Sequence, residues 1–350
     1  MEQNIVVDGK KIGRNSPVYI VAEMSANHLQ DKKRAKEIIK AAKESGADAV
    51  KLQTYRPDTL TIDCPKKEFL ASAGGPWSGM YLYELYAQAY LPWEWHGELF
   101  DYAKEIGITC FSAPFDLTAV DFLRRYHPAA YKIASYEITD IPLIRKTARE
   151  GMPVLISTGI AKLPDIALAV EACRQEGNEK IVLLKCVSAY PAPYEEFHLR
   201  TIRSMGELFG CVTGLSDHSP GDCIAIAAAA LGAKLIEKHF TLSRKDGGPD
   251  AAFSMEPKEF EKMAVSIRNV EKAVGCAAYS LTKRQSEERK GARSLYAAED
   301  IKKGERLSET NVRSVRPGYG ISPKDYDAVL LKRANRDLKK GTALKWEYLD

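Results

Sequence analysis

Four charged residues sit where apolar runs should not hold them: Glu23 in VAEMS, Lys51 in AVKLQT, Lys132 in YKIAS and Lys185 in LLKC. A charge inside such a run is costly to bury unless it is paired or liganded. Other reactive groups close similar runs: Gln53, Ser112, Ser135 with Glu137, Ser157 with Thr158, Ser188, Ser216 with Asp217, and Glu237. Lys51 and Lys132, with the hydroxyls of Ser135, Ser157 and Ser216, make a cradle for a ligand carrying a phosphate and a carboxylate. Phosphate needs several donors and charge compensation together. Taken singly, each serine is equally suited to satisfying backbone at a strand end. The number of such groups carries the reading, because buried charges cluster in sites.

Histidine is scarce, six in the chain, yet His218 in LSDH and His239 in EKH end consecutive strand-like runs. Two imidazoles, with Glu23 and Glu237 near them, suit a divalent ion with open positions, Mn²⁺ first and Co²⁺ or Mg²⁺ as alternatives, better than a closed zinc site. Hydrogen-bonded pocket histidines are the competing reading. His28, five residues beyond Glu23, is the other histidine near this set. The glycines and Pro249 of DGGPDAAFSM make a turn that can aim Asp250 toward the same region, with a plain loop turn as the equal alternative.

Positioning these groups requires strands that end on one face. Residues 18–22, 49–53, 109–112, 130–135, 154–157, 181–186, 212–215 and 234–238 read as short strands, most of them followed by helix-period segments such as 32–44, 141–150 and 256–274. That alternation predicts parallel βαβ units closing into a (β/α)₈ TIM barrel, with a doubly wound sheet as the runner-up. Barrel enzymes place catalytic groups at the C-terminal ends of the strands. Residues 55–80 read as a long loop on that face, followed by an aromatic helix over 81–90.

The barrel is expected to fill residues 1–275, with a charged linker over 276–292. A small unit over 293–350 carries the recurring phrases DIKKGERL and DLKKGTAL, whose glycines mark tight turns. A formal charge of +4 with interspersed signs gives no nucleic-acid surface. Residues 1–11 lack a signal-peptide core, and the apolar stretch 224–231 is too short to span a bilayer, so a soluble cytoplasmic protein is expected. Seven cysteines without a CxxC pair read as reduced core residues.

The motifs VAEMSANH, VKLQTY, FSAPFD, YKIASYE, STG, YPAPY, GLSDHS, EKHF and GPDAAFSMEP, then ARSLYAAEDIKKGE and VRPGYGISP, resemble the sialic acid synthase family over essentially the whole chain. Within it, AEMSANH, LYELYAQAYLPWEWH and Ser188 are closer to the pseudaminic acid branch, with the N-acetylneuraminate and legionaminate branches as alternatives. GPDAAFS retains the Pro-Asp of the neuraminate type. The resemblance implies a TIM barrel joined to a C-terminal SAF (antifreeze-like, β-clip) domain, and condensation of phosphoenolpyruvate with an amino sugar under a divalent metal. By the same resemblance Lys51, Ser112, Lys132, Ser135, Ser157, Ser188 and Ser216 hold phosphoenolpyruvate, and His218 and His239 bind the metal. Glu23, Gln53, Glu137, Tyr190 and Asp250 face the sugar or the attacking water. Arg316 reaches the sugar from a partner subunit, in a homodimer with exchanged C-terminal domains.

Two other readings compete. A Schiff-base lyase would use Lys132 or Lys185, and a non-catalytic carbohydrate-binding protein would use the small domain as a binding module.

Overall fold

Alternation of side chains along eight short aliphatic runs produces a closed parallel barrel. Its strands are β1 Tyr19–Glu23, β2 Ala49–Thr54, β3 Thr109–Pro114, β4 Tyr131–Ile133, β5 Val154–Ser157, β6 Ile181–Cys186, β7 Val212–Asp217 and β8 Leu235–His239. Neighbours pair in sequence order, and β8 pairs with β1 to close the ring. The computed structural model describes residues 4–71 and 77–350.

One set of alternate residues, Tyr19, Val21, Ala49, Phe111, Leu155, Val182, Leu184, Val212 and Leu235, forms a single cluster inside the ring. Ile5, Val7 and Ile12 of the N-terminal hairpin Ile5–Val7/Lys10–Ile12 join that cluster. The other set packs outward: Ile20, Val50, Leu52, Leu215 and Ile236 against one group of helices, Ile133, Ile156 and Leu183 against another. Because side chains on a strand alternate with period two, the next inward positions are Glu23, Lys51, Lys132, Ser157, Cys186, Ser216, Glu237 and His239. Gly214 is required inside β7, where a Cβ would lie 2.3 Å from the Leu235 carbonyl oxygen and 2.8 Å from Leu184.

A helix follows every strand. Lys32–Glu44 starts where Asp31 accepts a hydrogen bond from the Lys33 N–H, and it buries Ala35, Ile38, Ile39 and Ala42, one face at helical spacing. The loop expected over 55–80 holds a short helix Pro57–Leu60, a turn Lys67–Phe69 and a bridge between Leu70 and Tyr81; its residues 72–76 lie outside the described residues. The fourth strand is shorter than the 130–135 expected, because Ser135–Glu137 turns into a 3₁₀ helix that carries both residues off the sheet.

The chain divides into two compact units, 1–275 and 276–350. Residues 276–292 are not structureless: Lys283–Glu288 is helical, opened by a capping box in which Thr282 accepts from the Gln285 N–H and Gln285 accepts from the Thr282 N–H. Beyond it, Ser294–Ala297 pairs antiparallel with Val312–Val315 over a small core of Leu295, Ile301, Leu307, Val312, Leu338 and Leu344. The two recurring phrases lie side by side, bridged at Ile301 and Leu338. Asp337 accepts from the Lys303 N–H and Asp300 from the Lys340 N–H, both at 2.9 Å. Each aspartate also pairs with the other phrase's first lysine, Asp300 with Lys339 at 2.7 Å and Asp337 with Lys302 at 3.3 Å. Gly304 and Gly341 hold the left-handed conformation the two turns need, at φ 81° and 83°.

Candidate active site

Register aligns three inward groups in one row, since His239 pairs with Glu23 and Glu23 with Lys51 across β8, β1 and β2. Beside them Glu237 pairs with Ser216 on β7. The Lys51 Nζ lies 2.7 Å from Glu23 Oε2 and 3.5 Å from Glu237 Oε1. Lys132 Nζ donates to Ser157 Oγ at 2.7 Å and lies 3.8 Å from Glu237 Oε1. All four charged groups are buried.

Burial opposes ionisation of Glu237, but Lys132 and Lys51 outweigh it and hold its carboxyl below the usual range. Burial raises Glu23 against the pull of Lys51, and it lowers Lys132 against the pull of Glu237. Lys51 stays above its usual value because Glu23 and Glu237 overcome its burial.

Above this layer lies a cavity of ≈ 780 Å³. Its polar lining includes Gln53, Ser135, Glu137, Ser188, Tyr190, His239 and Asp250. Gln53 Nε2 donates to Glu23 Oε1 at 2.9 Å and to Ser25 Oγ at 3.0 Å, and Ser25 donates onward to Asp250. The expected aim of Asp250 into this region is thus realised. Ser188 Oγ donates to Ser135 Oγ at 2.8 Å, and the Ile160 N–H donates to the same oxygen at 3.1 Å. Gly159 makes room for that pair, since a Cβ there would lie 2.2 Å from Ser188 Oγ and 2.6 Å from Ser135 Oγ.

The two imidazoles stand 5.3 Å apart between ring centroids, beneath Tyr190, which is 4.4 Å from His218, and Phe253, which is 5.0 Å from His239. His218 Nδ1 donates to the Val187 carbonyl at 2.9 Å, which leaves Nε2 as its bare ring nitrogen. His239 Nδ1 is buried with no hydrogen-bond partner, and burial beside His218, Lys51 and Lys238 keeps the ring neutral. His218 is shifted the other way, since burial lowers it but Cys186 beside it more than offsets that; a divalent ion would compete with that proton for Nε2, and the orphaned His239 nitrogen offers a second donor. Of the carboxylates expected near the ion, Glu23 Oε2 lies against Lys51 and Glu237 Oε1 against both lysines, while Glu237 Oε2 is buried with no hydrogen-bond partner. Among the described residues, no three His, Cys, Asp or Glu side chains converge on one point.

Two expected groups face away. Ser112 falls on the outward parity of β3, where its Oγ lies 2.7 Å from Thr54 Oγ1, itself 2.8 Å from His96 Nε2. Lys185 is likewise outward on β6, its ammonium bonded to the Cys186 carbonyl at 3.2 Å. Reading the polar residues of each strand end without parity grouped both with the inward set. Conversely Ser25 and Cys186 were missed. Cys186 was read as core from its apolar surroundings, though it occupies an inward strand-end position 3.8 Å from His218 Nδ1. Arg316 belongs to the second unit and is exposed there.

The pattern that defines the NeuB family matches residues 38–279, and that of the SAF domain matches residues 292–350. The chain belongs to the NeuB family. It is 46% identical to the pseudaminic acid synthase of Campylobacter jejuni over 94% of this chain and 95% of that one. It is 44% identical to the pseudaminic acid synthase of Helicobacter pylori over 94% and 96%. Among solved structures, an N-acetylneuraminic acid synthetase from Leptospira borgpetersenii is similar with a TM-score of 0.74 and 30% identity, over 82% of this chain and 95% of that one. The resemblance drawn from the motifs therefore holds, with its barrel and its SAF domain. Among the described residues of this NeuB-family chain, no helix is long and apolar enough to cross a membrane.

Proposed function

We propose that this chain is a pseudaminic acid synthase, which condenses phosphoenolpyruvate with a 6-deoxy diacetamido-altrose and water, releasing phosphate. The observation that carries the reading is the buried pair Lys51 and Lys132 with the carboxylates Glu23 and Glu237 beside it, set beneath a cavity large enough for a sugar. The 46% identity to a pseudaminic acid synthase supports the choice of sugar.

In this proposal Lys51 and Lys132 hold the phosphate and carboxylate of phosphoenolpyruvate, and Ser135, Ser157, Ser188 and Ser216 add hydroxyl donors. Gln53, Glu137, Tyr190 and Asp250 hold the open-chain sugar. The enol carbon attacks the aldehyde carbon, whose C=O electron pair moves to oxygen and takes a proton from solvent to give a hydroxyl, and positive charge develops at the carbon that bears the phosphate. Water adds there and gives its proton to Glu23, whose other oxygen is oriented by Gln53. The tetrahedral adduct then collapses: its hydroxyl becomes a ketone as the C–O bond to phosphate breaks, the hydroxyl proton leaves with the phosphate, Glu23 returns its proton to solvent, and the lysines compensate the phosphate's charge. A divalent ion held by His218 and His239, Mn²⁺ foremost, would supply Lewis acidity at the sugar's aldehyde oxygen.

The test is phosphate release from phosphoenolpyruvate with a panel of amino sugars. The deoxy sugar should give the highest kcat/KM, a chelator should abolish turnover, and Mn²⁺ should restore it except in His218→Ala. Higher kcat/KM with N-acetylmannosamine overturns the sugar assignment, and full turnover in chelator overturns the metal.

A further inference from the structure

The polar lining of the cavity accounts for only part of it. Leu82, Leu85, Tyr86 and Ala89 also line it, the i, i+3, i+4 and i+7 positions of the helix Leu82–Ala89, so one helical face is presented to the ligand space. Leu60, at the end of the short helix Pro57–Leu60, and Phe115, just beyond β3, extend this lining. Tyr55 links them through edge-to-face contacts with Tyr86 at 5.8 Å and Phe115 at 5.2 Å. Leu85 and Ala89 are buried although they border an open cavity, so this face is a recess and not a solvated rim. None of Leu60, Leu82, Leu85, Ala89 or Phe115 has a side-chain donor or acceptor for a hydroxyl.

A sugar held by Gln53, Glu137, Tyr190 and Asp250 shares its cavity with that face, which is open to another part of the molecule. A hydroxyl set among Leu82, Leu85 and Ala89 would lose its hydrogen bonds to water, with only the Tyr86 and Tyr55 hydroxyls of that lining to replace them, whereas a methyl would bury apolar area. We propose that the face Leu82, Leu85 and Ala89 is the subsite for the methyl terminus of the sugar and sets the enzyme's preference for a 6-deoxy over a 6-hydroxy substrate. This rests on the function proposed above and adds the residues that select its substrate.

The experiment compares kcat/KM for the deoxy sugar and for N-acetylmannosamine in wild type, Leu85→Asn and Leu82→Asn, following phosphate release from phosphoenolpyruvate. Leu82 is only half-buried, so its variant keeps the test alive if Leu85→Asn fails to fold. A polar group in the recess should lower the ratio of deoxy to hydroxy efficiency by about tenfold, the scale on which apolar pockets discriminate single groups. Thermal melting identifies the folded variants. A wild-type preference for the deoxy sugar that persists unchanged in a folded variant overturns the subsite and leaves the function standing. A wild type that prefers N-acetylmannosamine overturns the function, and the subsite with it.

Discussion

Glu137 lines the cavity with Oε2 buried and unpartnered. Burial pushes its carboxyl up to about 7 from an ordinary 4.5, with Lys132 only partly opposing the rise. Between those two pH values the folded chain holds a proton that the unfolded chain has released, so stability falls as pH climbs through the window. Glu137→Gln removes the titrating group and should remove the fall. After allowance for partial exposure, wild type should lose about 1–3 kcal/mol of unfolding free energy relative to the variant between pH 5 and 8. Denaturant midpoints across that range check it, and parallel pH profiles would show that the carboxyl is ionised throughout. The same neutral acid can donate a hydrogen bond into the cavity, a capacity that an ionised carboxylate lacks. Its presence at the site was readable from YKIASYE; its protonation was not, because that depends on how the 3₁₀ turn buries it.

At the scale of elements, the loop after β7 is tied down from behind. Lys238, on the outward parity of β8, pairs with Asp217 at 2.7 Å and donates to the Ser219 carbonyl at 2.7 Å, so one ammonium holds both residues that flank His218. Asp217 also accepts from the Ser219 N–H at 2.8 Å. Lys238→Met strands a buried carboxylate and should cost about 3–5 kcal/mol in chemical denaturation. A loss below about 1 kcal/mol would mean that the loop holds itself. The strands and most helices were legible in the sequence because apolar runs and 3.6-residue periods report burial directly. The helix 32–44 and the strand ends at 157 and 186 fell where expected. What could not be read run by run was the direction each polar side chain takes. Lys132 and Lys185 look alike in sequence, each at a strand's end, yet parity sends one into the barrel and the other toward the helices. Counting by twos from the interior valines and leucines would have separated them. The pairing of Lys238 with Asp217 joins two strands, and no single segment announces it.

For the whole molecule, we extend the proposal to the homodimer with exchanged C-terminal domains that the resemblance implies. The motif VRPG, with Arg316 exposed in the second unit, resembles a segment that reaches a neighbouring sugar site. A closed two-fold exchange would let two defective chains repair one site. Mixing His218→Ala and Arg316→Ala under subunit exchange should restore turnover toward half of wild type in the mixed dimers, since one of their two sites carries neither defect. Mixed dimers that form and stay inactive would place Arg316's role within its own chain. The small unit itself has a property that follows from its paired turns. Asp300 shapes the turn at Lys340, and Asp337 shapes the turn at Lys303, so each phrase borrows an acceptor from the other. The order of the two turns is thereby coupled: what holds one in shape is a residue of the other, so a change at either aspartate is felt at both ends of the pair.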